Sequence, residues 1–273
     1  MKMVINIGDR LLDDPVALDK CASAFVELTK NGHRLVAVHG GYTALSAAVT
    51  TPLPAQAAQL GGSNCSLGLA LIAGVANKNI IEHFDRRGLK AIGMCGVDCG
   101  IFKLRGGNGA SSGSTRTAEI AHVDSTWLDA LCNLGITLVV ASVGLTPQRQ
   151  YCFADADMLA SIFASQWKAH ALIFLTDIAG VKGANGSVIR WLDLQQVPEL
   201  IHDPDETNGI RSKLRASECA LRSGVQRVRI IPFTDAELLV NFYVSRIDSG
   251  TEIFEGPSMA NETYSGFDGR IKV

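Results

Sequence analysis

Glycines, a histidine and an aspartate follow four apolar segments that have the composition of buried β-strands. These residues are Gly8, the run His39-Gly40-Gly41, Gly144 and Asp177. In an open parallel sheet, ligands bind beyond the carboxyl ends of the strands. Glycine N–H groups at such ends can hold an anion, above all where a helix begins next. A single glycine can simply end a strand, but several on one edge favour a phosphate or carboxylate site.

Two common nucleotide motifs and the usual metal-binding spacings are missing from the sequence. No G-x-x-x-x-G-K-[ST] occurs, and no G-x-G-x-x-G follows the first apolar segment. The six histidines show neither H-x₃-H nor H-E-x-x-H spacing, and Cys95 and Cys99 form a lone C-x₃-C pair, a poor zinc signature. His39, at a strand end, has the position of a structural hydrogen-bonding residue. We predict no metal site.

Apolar segments alternate with segments of helical period along the whole chain. Strands are predicted at 3–7, 34–41, 89–96, 136–145, 171–177, 225–233 and 251–254, and helices at 18–31, 67–87, 127–134, 157–169, 211–223 and 236–243. Residues 99–126 are rich in Gly, Ser and Thr, which predicts a hairpin or an excursion over the sheet. The alternation predicts a three-layer α/β/α sandwich with a mainly parallel central sheet.

The length and composition of the chain suit one large α/β domain. The chain has 273 residues, 47% of them hydrophobic and 19% charged, a composition that excludes intrinsic disorder. We predict a single domain over residues 1–254, with an N-terminal lobe to about residue 170 and a C-terminal lobe over 171–254. A polar tail follows at 255–273.

Charge and cysteine usage narrow the range of partners and compartments. The formal net charge is −2, too small to hold a nucleic acid or an anionic membrane by electrostatics. The seven cysteines are scattered, most of them within apolar segments, as in proteins of a reducing compartment. No apolar run approaches the roughly 18 residues of a membrane helix. We expect a cytoplasmic protein with no nucleic-acid or membrane partner.

Six segments of the chain together resemble a known family. They are LVAVHGG (35–41), AGVANKNII (73–81), VVASVGLT (139–146), LTDIAGV (175–181), NGIRSKLRASECALRSGV (208–225) and GTEI (250–253). Their order and spacing resemble the amino acid kinase superfamily and, within it, the acetylglutamate kinases. The resemblance extends from Val4 to about Phe254.

The resemblance implies an activity, a cofactor and an assembly. Members of this kind transfer the γ-phosphoryl group of ATP, with Mg²⁺, to a carboxylate. By resemblance the acceptor is N-acetyl-L-glutamate or a related acyl amino acid, in arginine biosynthesis. Such transfer needs no covalent enzyme intermediate, so positioning and charge neutralisation supply the catalysis. The resemblance also implies a homodimer, with the acyl substrate on the N-terminal lobe and the nucleotide on the C-terminal lobe.

The same resemblance assigns roles to particular residues of this sequence. Lys213, on the nucleotide side, and Asp157, which organises the lysines, are the implied catalytic residues. Gly40, Gly41 and Phe153 occupy substrate-contacting positions of the family. The implied nucleotide-binding positions are Gly8, Asp177, Ile178, Ala179, Gly180, Val181, Lys182, Asp205, Glu206, Thr207 and Gly209.

Several departures from the family pattern fall inside this implied site. The family's first strand carries K-x-G-G, whereas Asn6 and Asp9 occupy the lysine and second-glycine positions here. Tyr42 replaces the third glycine of HGGG, and Phe153 replaces the first asparagine of N-x-N-A-D. No arginine lies between Leu35 and Asp85 to clamp a substrate carboxylate. Losing one electrostatic stabiliser typically costs roughly 10²–10³ in rate.

These departures leave alternatives to acetylglutamate phosphorylation. One is a catalytically impaired homologue that acts as a nucleotide-binding or regulatory module. Another is a kinase for a different carboxylate or phosphate acceptor, with a pocket made more apolar by Phe153 and Tyr42. A non-kinase Rossmann-type enzyme ranks last. Arg10 or Lys2 could also supply the charge that Asn6 lacks.

Overall fold

A computed structural model of the chain describes residues 1–41, 68–105, 118–183, 185–202, 208–240 and 249–256. Four positions named in the sequence analysis lie outside these residues: Tyr42, Asp205, Glu206 and Thr207. Most of the predicted polar tail also lies outside them.

The described elements alternate between strands and helices. The strands are β1 (Lys2–Ile7), β2 (Arg34–His39), β3 (Ala91–Cys95), β4 (Phe102–Leu104), β5 (Ile120–Val123), β6 (Thr137–Ala141), β7 (Val143–Leu145), β8 (Tyr151–Phe153), β9 (Ala171–Thr176), β10 (Trp191–Asp193), β11 (Arg227–Pro232) and β12 (Thr251–Phe254). The α-helices are α1 (Asp9–Leu12), α2 (Pro15–Lys30), α3 (Asn77–Arg86), α4 (Ser125–Asn133), α5 (Ala156–Gln166), α6 (Val197–His202) and α7 (Asn208–Arg222). Three 3₁₀ helices (Asp98–Gly100, Leu194–Gln196 and Phe233–Leu239) and a π-helix (Ala70–Ala76) complete the set in the described ranges.

Eight of the described strands form one sheet in the order β10-β12-β11-β9-β1-β2-β6-β3. Neighbouring strands in this sheet are parallel except β11 and β12, which are antiparallel. Two small antiparallel hairpins, β4-β5 and β7-β8, lie outside it. The predicted mainly parallel central sheet with helices on both sides is confirmed.

Alternate residues of the central strands pack against opposite helical layers. Val4 of β1 belongs to the core on the side of α5 and α7, and Ile5 belongs to the core on the side of α2 and α3. Both side chains are fully buried. Because both faces of the sheet are covered, its strands are continuously apolar, and this pattern made them recognisable in the sequence.

The segment predicted as one strand at 136–145 is two strands. The first, β6, pairs with β2 and β3 in the main sheet. At Ser142 the chain leaves that sheet: the Ser142 N–H donates to the His39 carbonyl, and the Ser142 carbonyl accepts from Ala154 N–H. The following strand, β7, then pairs with β8. A continuous apolar run does not reveal this change of partner, because both strands are buried.

Some helix boundaries also differ from the prediction. The helix predicted from residue 18 begins at Pro15, because Asp14 accepts hydrogen bonds from Val16 and Ala17 N–H and caps the helix. The helix predicted at 67–87 contains the π-helical stretch Ala70–Ala76. The helix predicted at 236–243 is a 3₁₀ helix, Phe233–Leu239, and its last predicted residues lie outside the described ranges.

Among the described residues, none of the helices has the length and apolar character needed to span a bilayer.

Candidate functional site

The turns after β1, β2 and β9 lie together at one edge of the sheet. Ile7, at the end of β1, pairs with His39 on one side and with Leu175 on the other. The Gly8 N–H donates to the Leu175 carbonyl oxygen at 2.9 Å. A Cβ on Gly8 would lie 2.5 Å from that oxygen, so a side chain there would push the two turns apart. Gly8 therefore makes the close approach of β1 and β9 possible.

Lys213 and Asp157 form a buried ion pair beside this edge. Asp157 lies in the first turn of α5, and the Lys213 ammonium lies 3.1 Å from each of its carboxylate oxygens. Both side chains are 12% exposed. Burial raises the pKa of Asp157, the attraction of Lys213 opposes that rise, and the nearby Asp155 carboxylate adds to it. The structure thus brings together the two residues to which sequence resemblance gave catalytic roles.

A second hydrogen bond joins the same two helix ends. Asp155 caps α5, with one carboxylate oxygen accepting from Met158 N–H at 3.0 Å and the other from the Ser212 hydroxyl at 2.8 Å. Ser212 directly precedes Lys213 on α7, so two adjacent residues of α7 are tied to the start of α5. Ser212 has no predicted role in the sequence. The only signal for this contact was the Asp-x-Asp spacing at the start of α5.

Asn6 connects β1 to the start of α5. Its side-chain amide donates to the Ala156 carbonyl oxygen at 2.9 Å, and the residue is 1% exposed. Where the family pattern has a lysine, this chain has a neutral side chain used for an internal contact. Asn6 therefore supplies no positive charge to the site.

The Gly40–Gly41 turn is enclosed by two side chains. A Cβ on Gly40 would lie 2.7 Å from a carboxylate oxygen of Asp9. Gly41 has φ of +150°, and a Cβ there would lie 2.9 Å from Cγ1 of Ile72. Gly41 therefore requires glycine, and the Asp9 carboxylate lies against the turn where the family pattern implies phosphate binding.

His39, the last residue of β2, is fully buried and held at both ring nitrogens. Nδ1 lies 2.8 Å from the Gly40 carbonyl oxygen, and Nε2 lies 3.0 Å from the side-chain amide nitrogen of Asn77. The same amide nitrogen donates to the Val139 carbonyl oxygen at 3.0 Å. Burial lowers the pKa of His39 to about 4. The histidine is therefore neutral and structural, as its position in the sequence indicated.

Phe153 is buried rather than turned toward a substrate site. It is 6% exposed and packs in a small apolar cluster with Ile72, Cys95, Ala141 and Val143. Its backbone carbonyl accepts from Ala118 N–H at 2.8 Å. The aromatic ring thus packs in an apolar cluster, and its contact with substrate stays a prediction.

The predicted nucleotide loop after β9 divides into exposed and buried positions. Asp177, Ala179 and Lys182 are exposed, Ile178 is half-buried, and Gly180 and Val181 are buried. The buried pair is structural: Val181 N–H donates to the Thr251 hydroxyl at 2.9 Å. Gly180 has φ of +136°, and a Cβ there would lie 2.7 Å from that same hydroxyl oxygen. Among the predicted positions of this loop, Asp177, Ala179 and Lys182 are the ones that face solvent.

Of the two cations considered as substitutes at Asn6, one lies near the site and the other does not. The Arg10 guanidinium lies 3.8 Å from the Asp177 carboxylate, with both side chains largely exposed. Lys2 lies at the opposite end of β1, paired with Asp129 at 2.8 Å and lying over the Trp167 ring. Compensation by Lys2 is therefore excluded by the strand's direction. Gly209, near the start of α7, is exposed.

Comparison with known proteins places the chain in a family. The profile of the amino acid kinase family matches residues 1–232. The acetylglutamate kinase of Acidobacterium capsulatum is 32% identical over 266 residues, covering 93% of this chain and 99% of that protein. The acetylglutamate kinase of Koribacter versatilis is 33% identical over 259 residues, covering 93% and 98%. The chain belongs to the amino acid kinase family.

Solved structures show the same fold at lower sequence identity. N-acetylglutamate synthase from Neisseria gonorrhoeae, complexed with coenzyme A and N-acetyl-glutamate, superposes with a TM-score of 0.74 at 21% identity, over 94% of this chain. The chain spans 60% of the length of that synthase. Carbamate kinase from Giardia lamblia bound to AMP-PNP superposes with a TM-score of 0.71 at 13% identity, over 93% of this chain and 98% of that one. These likenesses support the amino acid kinase fold alone.

Proposed function

We propose that this amino acid kinase transfers the γ-phosphoryl group of ATP to the side-chain carboxylate of N-acetyl-L-glutamate or a related acyl amino acid, as a step of arginine biosynthesis. The acetylglutamate kinases of Acidobacterium capsulatum and Koribacter versatilis, each matched over nearly their whole length, support this choice of reaction. The observation that carries it is the buried Lys213–Asp157 pair beside the strand-end turns.

Lys213 would neutralise charge on the transferred group. Phosphoryl transfer spreads negative charge over the phosphate oxygens, and a cation fixed in a buried site stabilises it more than one in water. The Lys213 ammonium donates to both carboxylate oxygens of Asp157 and lies over the Phe174 ring, and these contacts fix its position. Asp157 is therefore a positioning residue for the cation.

The residues of the chain fit ATP with Mg²⁺ at the same edge. Gly8 and Gly40 lie in the turns after β1 and β2, at the end of the sheet where the phosphates would lie. The exposed positions Asp177, Ala179 and Lys182, together with Gly209, would contact the nucleotide. Mg²⁺ commonly keeps several waters and binds through substrate phosphates, so it needs no all-protein cage.

A second candidate function is nucleotide binding without phosphoryl transfer. Asn6 is neutral and occupied by the Ala156 carbonyl, and the Asp9 carboxylate lies against Gly40. Phe153, an apolar residue where the family pattern has an asparagine, is buried in an apolar cluster. Because of these three residues, the acceptor side of the site has less positive charge and fewer polar contacts, whereas the Lys213–Asp157 pair is present. They favour a homologue that holds a nucleotide as a regulatory module.

The experiment that tests the proposal is trapping of acyl phosphate with hydroxylamine, using MgATP and N-acetyl-L-glutamate. Removing Lys213 alone would leave a buried, unpaired Asp157 carboxylate, which is strongly destabilising. The test therefore uses the double substitution Lys213→Met with Asp157→Asn, which removes both charges. We expect this variant to fold and its turnover to fall by at least about 10². Arg215→Ala, an exposed position on the same helix, is the matched control and keeps full turnover.

The outcomes separate the two functions. Turnover that the double substitution abolishes supports the kinase. Binding of ATP without turnover on N-acetylglutamate, or on any other acyl amino acid in a panel, supports the regulatory module. If saturating ATP and ADP both leave the melting temperature unchanged, the nucleotide site is assigned wrongly. Turnover on a different carboxylate alone would identify a kinase with another substrate.

We also propose that the chain acts as a homodimer, joined at the β3 edge of the sheet. No described strand pairs with the outer edge of β3. Val75, Ile92 and Val97 lie at this edge and are 64%, 40% and 38% exposed, three of the six exposed large apolar side chains among the described residues. An adjacent cavity of about 390 Å³ is lined in part by small residues, Ala70, Ala73, Gly74 and Gly93. An unpaired edge with apolar neighbours suits a second copy of the chain.

A further inference from the structure

We infer that His39 is a positioning residue for the Gly40–Gly41 turn, and that Asn77 fixes the ring tautomer with which His39 does so. The inference rests on the proposed function in one respect, since that function gives the Gly40–Gly41 turn a ligand to bind. Its structural part stands on the hydrogen bonds of His39 and Asn77 alone.

The partners of Asn77 determine which of its side-chain atoms faces the histidine. Its amide nitrogen lies 3.0 Å from the Val139 carbonyl oxygen, and its amide oxygen lies 3.3 Å from the Lys78 ammonium. Rotating the amide by half a turn would set an oxygen against a carbonyl and a nitrogen against an ammonium. The orientation is therefore fixed, and the nitrogen that faces His39 carries hydrogen.

The tautomer of His39 follows from its two partners. The Gly40 carbonyl oxygen can only accept, so Nδ1 of His39 carries the proton and donates at 2.8 Å. The Asn77 amide nitrogen donates to Nε2 at 3.0 Å, so Nε2 carries no proton. A proton added at Nε2 would face the amide hydrogens of Asn77, which cannot turn away. The ring is therefore held neutral in one tautomer.

The bond from Nδ1 sets the direction of the next peptide group. Described peptide bonds are all trans, so the Gly40 carbonyl and the Gly41 N–H point in opposite directions. With the carbonyl held toward the buried imidazole, the Gly41 N–H points away from it. Two glycines in succession have many backbone conformations available, and His39 selects the one in which that N–H is directed outward from the core.

The network also explains a glycine that sequence reasoning did not single out. A Cβ on Gly93 of β3 would lie 1.8 Å from the amide oxygen of Asn77. Gly93 therefore makes the space in which Asn77 reaches both Val139 and His39. The Lys78 ammonium closes the arrangement, 3.3 Å from the Gly93 carbonyl.

The test compares two substitutions of one residue. His39→Leu removes both ring nitrogens, whereas His39→Asn keeps an N–H donor at the position of Nδ1. We expect the amide NMR signal of Gly41 to shift in His39→Leu and to return toward its wild-type position in His39→Asn. Turnover, where present, should fall about tenfold in His39→Leu, the loss expected for one hydrogen bond, and recover in His39→Asn. His122→Leu, at an exposed histidine, is the matched control.

Ring ¹⁵N shifts give a second readout that needs no activity. We expect His39 in the folded protein to show a protonated Nδ1 and an unprotonated Nε2, and to lose this single-tautomer pattern in Asn77→Ala. Asn133→Ala, at an exposed asparagine of α4, should leave it unchanged. A protonated Nε2 in the wild-type protein, or a Gly41 signal equally displaced in His39→Leu and His39→Asn, overturns the inference. Absence of nucleotide binding would defeat the proposed function but not these NMR results.

Discussion

Two ionisable side chains near the strand ends, Asp157 and His39, are buried with different consequences for their charge. Burial raises the pKa of Asp157 and lowers that of His39 to about 4, because in each case it disfavours the charged form. Asp157 retains a fixed cation, Lys213, at 3.1 Å. His39 faces the Gly40 carbonyl and the Asn77 amide, with the Lys78 ammonium on the far side of Asn77. Charge is thus held at Asp157 and excluded at His39.

Stability is expected to depend on pH through His39. Its pKa falls from 6.5 in the unfolded chain to about 4 in the folded one, so the unfolded chain binds the extra proton between these values. The stabilisation that neutral His39 gives to the folded state is complete above pH 6.5 and is lost as the pH falls toward 4. Between pH 7 and pH 5 the loss is about 2 kcal/mol.

Urea unfolding of the wild type and His39→Asn at both pH values measures this effect. The difference in unfolding free energy between the two proteins should shrink by that amount at pH 5, because Asn does not titrate. Carboxylates elsewhere titrate in both proteins and cancel. A difference that stays constant with pH would show that His39 is not a buried neutral histidine.

At the scale of elements, two of the departures from the family pattern lie at the end of β1 and the start of α1. α5 and α7 meet through Asp157–Lys213 and Asp155–Ser212, so the contacts on the proposed nucleotide side are present. The β1 side carries Asn6, bonded to Ala156, and Asp9, against Gly40. The residues at the boundary of β1 and α1 therefore distinguish the two proposed functions, a kinase and a regulatory module.

Restoring the family pattern at this turn tests that division. Asn6→Lys with Asp9→Gly adds a positive charge and removes a negative one beside Gly40. We expect hydroxamate formation to rise at least about tenfold, since one well-placed charge is typically worth more than that. Asp9→Gly alone is the control and should give a smaller rise. Unchanged turnover in the double variant would indicate that the acceptor pocket differs beyond this turn.

The sequence predicted the parts of the site that depend on a local pattern of residues. Continuous apolar strands revealed the sheet, and the turns that follow them located Gly8, Gly40 and Asp177 at one edge. Lys213 and Asp157 came from family resemblance, and the structure brings them together. The strand break at Ser142 and the pairing of Asp155 with Ser212 depend on tertiary contacts between distant segments, which leave no local pattern. Resemblance gave Phe153 a substrate-contacting position, which stays a prediction; its burial in an apolar cluster depends on tertiary packing that the sequence did not reveal.

At the scale of the whole molecule, helices cover both faces of the sheet, and none of the described strands pairs with the outer edge of β3. The two helical layers bury alternate residues of every central strand. At the β3 edge, Ile92 and Val75 remain exposed. Natural proteins usually protect such edges with charge or proline, or by pairing them. Pairing with a second copy is the solution we propose for this chain.

Charged substitutions at the β3 edge should separate the dimer. Val75→Glu with Ile92→Lys should yield a monomer in sedimentation velocity at concentrations where the wild type is a dimer, because two charges would lose water in the interface. Val16→Glu is the matched control, since Val16 on α2 is 69% exposed. A wild-type protein that is monomeric, or a double variant that stays dimeric, would contradict this placement of the interface.

Gly93 of the β3 edge contacts Asn77, and Asn77 also contacts His39, which precedes the Gly40–Gly41 turn. Asn77 rests against Gly93 on the edge strand and holds the ring of His39, and the Lys78 ammonium bridges Asn77 and the Gly93 carbonyl. A pairing that shifted Gly93 would therefore act on the histidine that orients Gly41. Thermodynamic linkage makes such an effect reciprocal: a ligand that favours the held turn would favour assembly by the same free energy, and protein concentration would itself become an effector.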